Sequence, residues 1–137
     1  MNETTLFILF VVGIAIGGIW NFRRTGGVSM QALPEIITLS QKDFFDELSK
    51  DSAAVLVDVR SIEEYQEGHL RNAVMIDFRH DDFKEKISAY DKNETYFLYC
   101  RSGNRSMRAA ELMQKMGFIA IYNLKGGLSV FTGELEK

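Results

Sequence analysis

From Glu35 onward the apolar and polar positions switch repeatedly between a period of two and a period near 3.6, and each switch marks an element. "IITL" (36–39) reads as a short strand. Ser40 followed by Asp43 is a helix start signal ahead of Phe44, Phe45 and Leu48. "AVLVDV" (54–59) is a β-branched run of the kind found in strands buried on both faces. Ser61 and Glu64 repeat the capping pattern before a brief helix. "AVMIDF" (73–78) predicts a third strand, "DDFKEKISAY" (81–90) an amphipathic helix and "TYFLYC" (95–100) a fourth strand. Over "SMRAAELMQKMGF" (106–118), Ala109, Leu112, Met113 and Met116 share one helical face. "IAIYNL" (119–124) is a fifth strand, after which Gly126-Gly127 turns into a short terminal segment. Strands alternating with helices predict an α/β domain with a mainly parallel five-stranded sheet and helices on both faces.

The amino-terminal stretch follows neither period. No residue from Thr4 to Phe22 carries a formal charge. At about 1.5 Å per residue, a helix of that length nearly crosses a hydrocarbon core of ~30 Å. A cleaved signal peptide would place basic residues before the apolar stretch and small ones after it, whereas here Met-Asn-Glu leads in and Trp20-Asn21-Phe22-Arg23-Arg24 leads out. A helix buried in a soluble domain would keep a polar face. The expectation is therefore an uncleaved, single-pass transmembrane anchor over residues 1–24, in the lipid bilayer through residues 4–22, with Trp20 at the interface. Arg23 and Arg24 follow the span, so the positive-inside rule puts the rest of the chain in the cytoplasm. Gly13 and Gly17 have the spacing that lets two helices pack closely, although glycine is common in membrane spans for other reasons. Residues 25–34, "TGGVSMQALP", read as a linker ahead of a domain at 35–137.

Composition narrows the chemistry. The chain of 137 residues has one cysteine, two histidines and a net charge of −3. A lone cysteine excludes an intrachain disulfide and a cysteine-based metal cluster, and no cofactor or metal is expected. Without a basic surface, nucleic acid is a poor partner.

That cysteine stands in "LYCRSGNRS" (98–106), at the carboxyl end of a central strand and the entry to a loop leading into a helix. In open α/β sheets ligands bind at this edge. Gly103 and Asn104 tolerate unusual backbone angles, so the loop can curl and aim successive N–H groups inward. Such a nest, joined to a helix amino terminus, attracts anions and favours a thiolate. Arg101, Arg105 and Arg108 add positive charge. Cys100 is thus placed for nucleophilic attack on an anionic substrate. A cysteine phosphatase loop would need its arginine six positions after the cysteine, where Ser106 stands; Arg105 comes one residue early, so the bowl is tighter than a phosphate cradle.

"YCRSGNRS" resembles the active-site loop of the single-domain rhodaneses. The likeness extends to "LVDVRSIEEYQEGHLRNAVMID" (56–77), with Asn72-Ala73 where that family usually has Gly-Ala, and to the closing turn "NLKGGL" (123–128). It covers residues 35 to about 132. Leu128 and Phe131 occupy the region where the family often has tryptophan. The resemblance implies a sulfurtransferase with Cys100 as catalytic nucleophile. Sulfane sulfur would pass from an anionic donor such as thiosulfate, through a Cys100 persulfide, to cyanide or a thiol. It further implies that Arg101, Ser102, Gly103, Asn104, Arg105 and Ser106 form the substrate-binding loop, with Arg101 attracting the donor's sulfonate. Asp58 and Arg60 are expected to support the site by an ion pair or bonds to loop backbone, His69 to be a turn residue, and His80 a solvated helix start. Two other roles fit the same residues: a membrane-tethered persulfide carrier for a protein partner, or a non-catalytic anion- or protein-binding module.

Overall fold

The computed structural model describes residues 32–137, so the expected anchor at 1–24, its Gly13–Gly17 pair and most of the 25–34 linker lie outside the described residues. Among the described residues no helix is long and apolar enough to cross a membrane. The elements are β1 (Ile36–Leu39), α1 (Gln41–Lys50), β2 (Val55–Asp58), α2 (Ile62–Glu67), β3 (Val74–Met75), α3 (Phe83–Ser88), β4 (Thr95–Tyr99), α4 (Asn104–Lys115) and β5 (Ala120–Leu124). A 3-10 turn, Gly127–Val130, follows β5.

All strand pairs are parallel, and the sheet order is β1-β5-β4-β2-β3. The predicted parallel five-stranded sheet is therefore present, with β4 at its centre. Alternation along β4 divides the core. Tyr96, Leu98 and Cys100 face Phe83 and Ile87 of α3 and Ala109, Ala110 and Met113 of α4. Phe97 and Tyr99 face the other way, toward Phe44 of α1 and Leu70 and Ala73. Phe44 meets Phe97 edge-on at 5.1 Å, and Tyr96 meets Phe118 in the same manner at 5.1 Å. Each such fully buried side chain contributes about 1.5–3 kcal/mol by leaving water, so β4 is anchored from both sides.

The capping signals operate as read. Ser40 accepts from the Asp43 N–H. At α2 the exchange is reciprocal: Ser61 accepts from the Glu64 N–H while the Glu64 carboxylate accepts from the Ser61 N–H.

Two of the departures from the sequence expectation have a clear physical cause. The third strand is only Val74–Met75 rather than 73–78. Ile76 and Phe78 still donate to the carbonyls of Asp58 and Val59, but β2 ends at Asp58, where the chain turns away. Beyond Asp58 the partner no longer continues as a strand, so the regular ladder stops although Phe78 still bonds to Val59. Helix α4 begins at Asn104, two residues earlier than the apolar pattern suggests, because Gly103 makes the whole turn at φ 92°. That shift brings Ser106 into the first helical turn.

Asn72 takes a left-handed conformation, φ 64°. Asparagine is among the few non-glycine residues that tolerate it, which accounts for asparagine at a position where glycine would be the simplest choice.

Candidate active site

Cys100 follows β4 directly, and its sulfur sits under the turn that starts α4. The Gly103 N–H donates to Sγ at 3.1 Å, and the Ser106 hydroxyl lies 3.4 Å from the same atom. Ser106 Oγ is also 3.1 Å from the Gly103 carbonyl. Its single proton can serve either acceptor, and a charged sulfur is the stronger one. Burial opposes ionisation of Cys100, but the Ser106 hydroxyl and the N–H groups of Ser106, Ser102 and Gly103 outweigh it and hold the thiol below its ordinary value. The positive end of α4 acts in the same direction. The sulfur is fully buried.

The loop is pinned from a distance. Leu128 and Ser129 donate their N–H groups to the carbonyls of Cys100 and Arg101, both at 2.9 Å. Gly127, at φ 56°, makes this approach possible: a Cβ there would stand 2.4 Å from the Cys100 carbonyl oxygen. The Gly-Gly turn is thus the clamp that fixes the curl of the loop.

Asp58 and Arg60 form the buried pair expected of them. Arg60 Nη2 is 2.6 Å from Asp58 Oδ2, and the Arg60 N–H donates to Asp58 Oδ1 at 2.9 Å. The same Nη2 donates to the Gly68 carbonyl at 2.8 Å, tying the end of β2 to the end of α2. Tyr99, beneath the Arg60 guanidinium, accepts from the Leu70 N–H through its hydroxyl, and burial pushes its own ionisation far up. His69, expected as a turn residue, instead forms an antiparallel bridge with Glu136 through its own N–H and carbonyl, because the chain's end returns alongside it, while its ring stacks on Tyr65 at 3.8 Å with Nδ1 3.1 Å from the Tyr65 carbonyl. His80 pairs with Asp82 at 2.7 Å beside the start of α3.

The arginines divide sharply. Arg105 meets both oxygens of Glu64 through its two terminal nitrogens, each at 2.7 Å. The Arg105 guanidinium, with burial opposing and the Ser61 N–H helping, holds the Glu64 carboxyl down at about 2. Arg105 therefore braces α4 against α2. Arg108 lies over the Phe78 ring at 5.6 Å. Arg101 is exposed beside the loop, with no carboxylate partner among the described residues. It borders a cleft of about 420 Å³ together with Arg60, Glu64, Glu67, Leu128, Ser129 and Leu135. Asn104 is exposed at the first turn of α4, and Ser102 is exposed in the loop.

Sequence reasoning singled out Cys100, its loop and the Asp58–Arg60 pair, but read Glu64 only as a cap. The pairing of Glu64 with Arg105 spans 41 positions, and no local pattern announces it. Glu67, Ser129 and Leu135 reach the cleft through the fold alone.

A buried cysteine at the carboxyl edge of a parallel sheet, its sulfur met by an N–H group and a hydroxyl at a helix start, defines an α/β domain with a candidate cysteine site. Comparison with known proteins narrows this class. A family model described as rhodanese-like domain matches residues 40–134. "Putative sulfurtransferase YtwF" of Bacillus subtilis is 36% identical over 102 residues, 74% of this chain and 96% of that one. "Putative sulfur carrier protein YrkF" of the same organism is 31% identical over 117 residues, 85% of this chain but only 62% of that protein's length. A tRNA uridine(34) hydroxylase of the Aster yellows witches'-broom phytoplasma is 30% identical over 121 residues, and the match spans 39% of its length. The crystal structure of a rhodanese-like domain protein from Staphylococcus aureus superposes with a TM-score of 0.64 at 29% identity, covering 73% of this chain and 96% of that one. The chain belongs to the rhodanese-like family.

Proposed function

We propose that the protein is a sulfurtransferase working through a persulfide on Cys100. The observation that carries this reading is the sulfur's setting: one N–H at 3.1 Å and one hydroxyl at 3.4 Å, at a helix start that favours negative charge. In the first half-reaction the Cys100 thiolate attacks the outer sulfur of an anionic donor such as thiosulfate. The new S–S bond forms as the donor's S–S bond breaks, and sulfite leaves with the electron pair. Arg101 attracts the donor's sulfonate, while Ser102, Gly103, Asn104 and Ser106 form the cradle and Arg105 holds it against α2. In the second half-reaction cyanide or an acceptor thiolate takes the outer sulfur and returns Cys100 to the thiolate, which gives ping-pong kinetics.

A carrier that hands its persulfide to a protein partner is a second reading, favoured by the likeness to a putative sulfur carrier protein, 31% identical over 85% of this chain. The two are separated by turnover on free thiosulfate. The residues 4–22 anchor and the cytoplasmic placement of the domain are part of the proposal, supported by the uncharged span and by Arg23 and Arg24 after it.

The direct test is mass spectrometry of the full chain after exposure to thiosulfate. The chain should gain one sulfur atom, about 32 Da, on Cys100. Cys100→Ser should lose both the adduct and cyanide-dependent thiocyanate formation; turnover persisting in that variant would sink the assignment.

A further inference from the structure

The Gly103 carbonyl has more donors around it than it can serve. It accepts from the Met107 N–H at 3.1 Å, lies 3.1 Å from Ser106 Oγ, and is approached by Asn123 Nδ2 at 3.5 Å. A carbonyl oxygen has two lone pairs. The Met107 bond belongs to the first turn of α4 and is fixed by the helix. Asn123 and Ser106 therefore compete for the second place. Of these two, Ser106 has another acceptor within reach, Cys100 Sγ at 3.4 Å.

Packing alone does not account for an amide at position 123. Asn123 stands on β5 between Thr38 of β1 and Leu98 of β4, and only 3% of it is exposed. Alternation puts it on the same side of the sheet as Ile121, which lies in the apolar core under α4. Its Oδ1 is buried with no hydrogen-bond partner among the described residues. An unpaired buried oxygen is a cost that an apolar side chain of similar shape avoids. Its Nδ2 reaches the Gly103 carbonyl. The end of β5 is also pressed against this turn, since a Cβ on Gly103 would stand 3.2 Å from the Leu124 carbonyl oxygen. The amide is thus held at a fixed distance from Gly103.

Resting on the reading of Cys100 as the reacting thiolate, we propose that Asn123 is a positioning residue that fills the Gly103 carbonyl and so turns the Ser106 hydroxyl proton toward Cys100 Sγ. Asn123 acts through Ser106 and not on the sulfur itself. Both half-reactions gain. The attacking thiolate is stabilised, and when cyanide removes the outer sulfur as thiocyanate, the electron pair of the broken S–S bond returns to an Sγ that already faces the hydroxyl. The charged groups near Cys100 are bound elsewhere or stand apart from this contact. Asp58 of β2 holds Arg60, Glu64 of α2 holds Arg105 of α4, and Arg108 lies over Phe78. Asp77, beyond β3, acts on Arg105, and Arg101 is exposed in the loop. Toward this core α3 contributes Phe83 and Ile87, and β5 contributes Ile121, none of them charged.

The experiment uses the full chain and compares Asn123→Leu, Asn123→Ala, Ser106→Ala and the Ser106→Ala/Asn123→Leu double variant. Iodoacetamide alkylation is followed against pH, with urea unfolding alongside. Asn123→Leu should move the alkylation midpoint to higher pH and slow the reaction below the midpoint about fivefold, the worth of one redirected hydrogen bond. Its urea midpoint should not fall below that of the wild type. With Ser106 already replaced by alanine, the leucine substitution should move the alkylation midpoint no further. Asn123→Ala should give the same alkylation shift with a lower urea midpoint, and it decides the matter if the leucine variant does not fold. A wild-type alkylation midpoint in the Asn123 variants overturns the proposal. So does an equal shift with and without Ser106, which would mean that Asn123 only shapes the loop. The thiosulfate adduct is measured separately: its failure to form on the wild-type chain overturns the sulfurtransferase reading, while the alkylation series still decides the role of Asn123.

Discussion

At the scale of the residue, the decisive group is the Ser106 hydroxyl. It lies within reach of both Sγ and the Gly103 carbonyl, so its proton can swing to the sulfur when the thiol ionises. Ser106→Ala removes that donor and should return the Cys100 thiol toward its ordinary value, because burial then faces only the N–H groups. Initial rates of iodoacetamide alkylation measured against pH should show the midpoint displaced to higher pH. An unmoved midpoint would mean that the N–H groups alone hold the charge. The sign for stability follows from the same shift. A group whose folded value is depressed contributes stability that is present above its unfolded value and lost as pH falls through the folded value. In Ser106→Ala that contribution shrinks, so the variant should lose more stability on the alkaline side than near neutrality.

At the scale of the element, the Gly126-Gly127 turn holds the Cys100 loop from outside, through the Leu128 and Ser129 N–H groups. Gly127→Ala places a methyl 2.4 Å from the Cys100 carbonyl oxygen at a φ of 56°. The left-handed conformation alone costs roughly 1–2 kcal/mol for a residue with a Cβ, and the clash must displace the clamp as well. Urea denaturation should show a loss of about 2 kcal/mol or more, accompanied by slower persulfide formation. Wild-type stability in this variant would show that the loop needs no clamp. The same elements show how far sequence reading carries. The caps at Ser40 and Ser61 were legible because both partners lie within one helical turn, and β4 because its run of apolar residues is long. Cys100 stood out as a thiol in a polar, glycine-containing loop. The length of the third strand was not legible, since it depends on where β2 ends, and neither was the brace from Glu64 to Arg105, which exists only once α2 and α4 are packed.

At the scale of the whole molecule, the proposed orientation follows from the basic residues that come after the uncharged span. In sealed right-side-out vesicles from expressing cells, added protease should spare the domain until detergent opens the membrane. Digestion before detergent, or recovery of a chain lacking residues 1–24, would overturn the orientation or the anchor. The sheet order has a further consequence for the making of the protein. Among the described strands, β1 is the first synthesised and pairs only with β5, the last. The residues that clamp the Cys100 loop come later still, at Leu128 and Ser129. Synthesis runs from the amino end, so a nascent chain has neither its full sheet nor its clamp until those residues have left the ribosome. Closure of the fold and activation of the thiol are in this sense one late event, and the half-made protein holds its cysteine without the full set of contacts that makes it reactive.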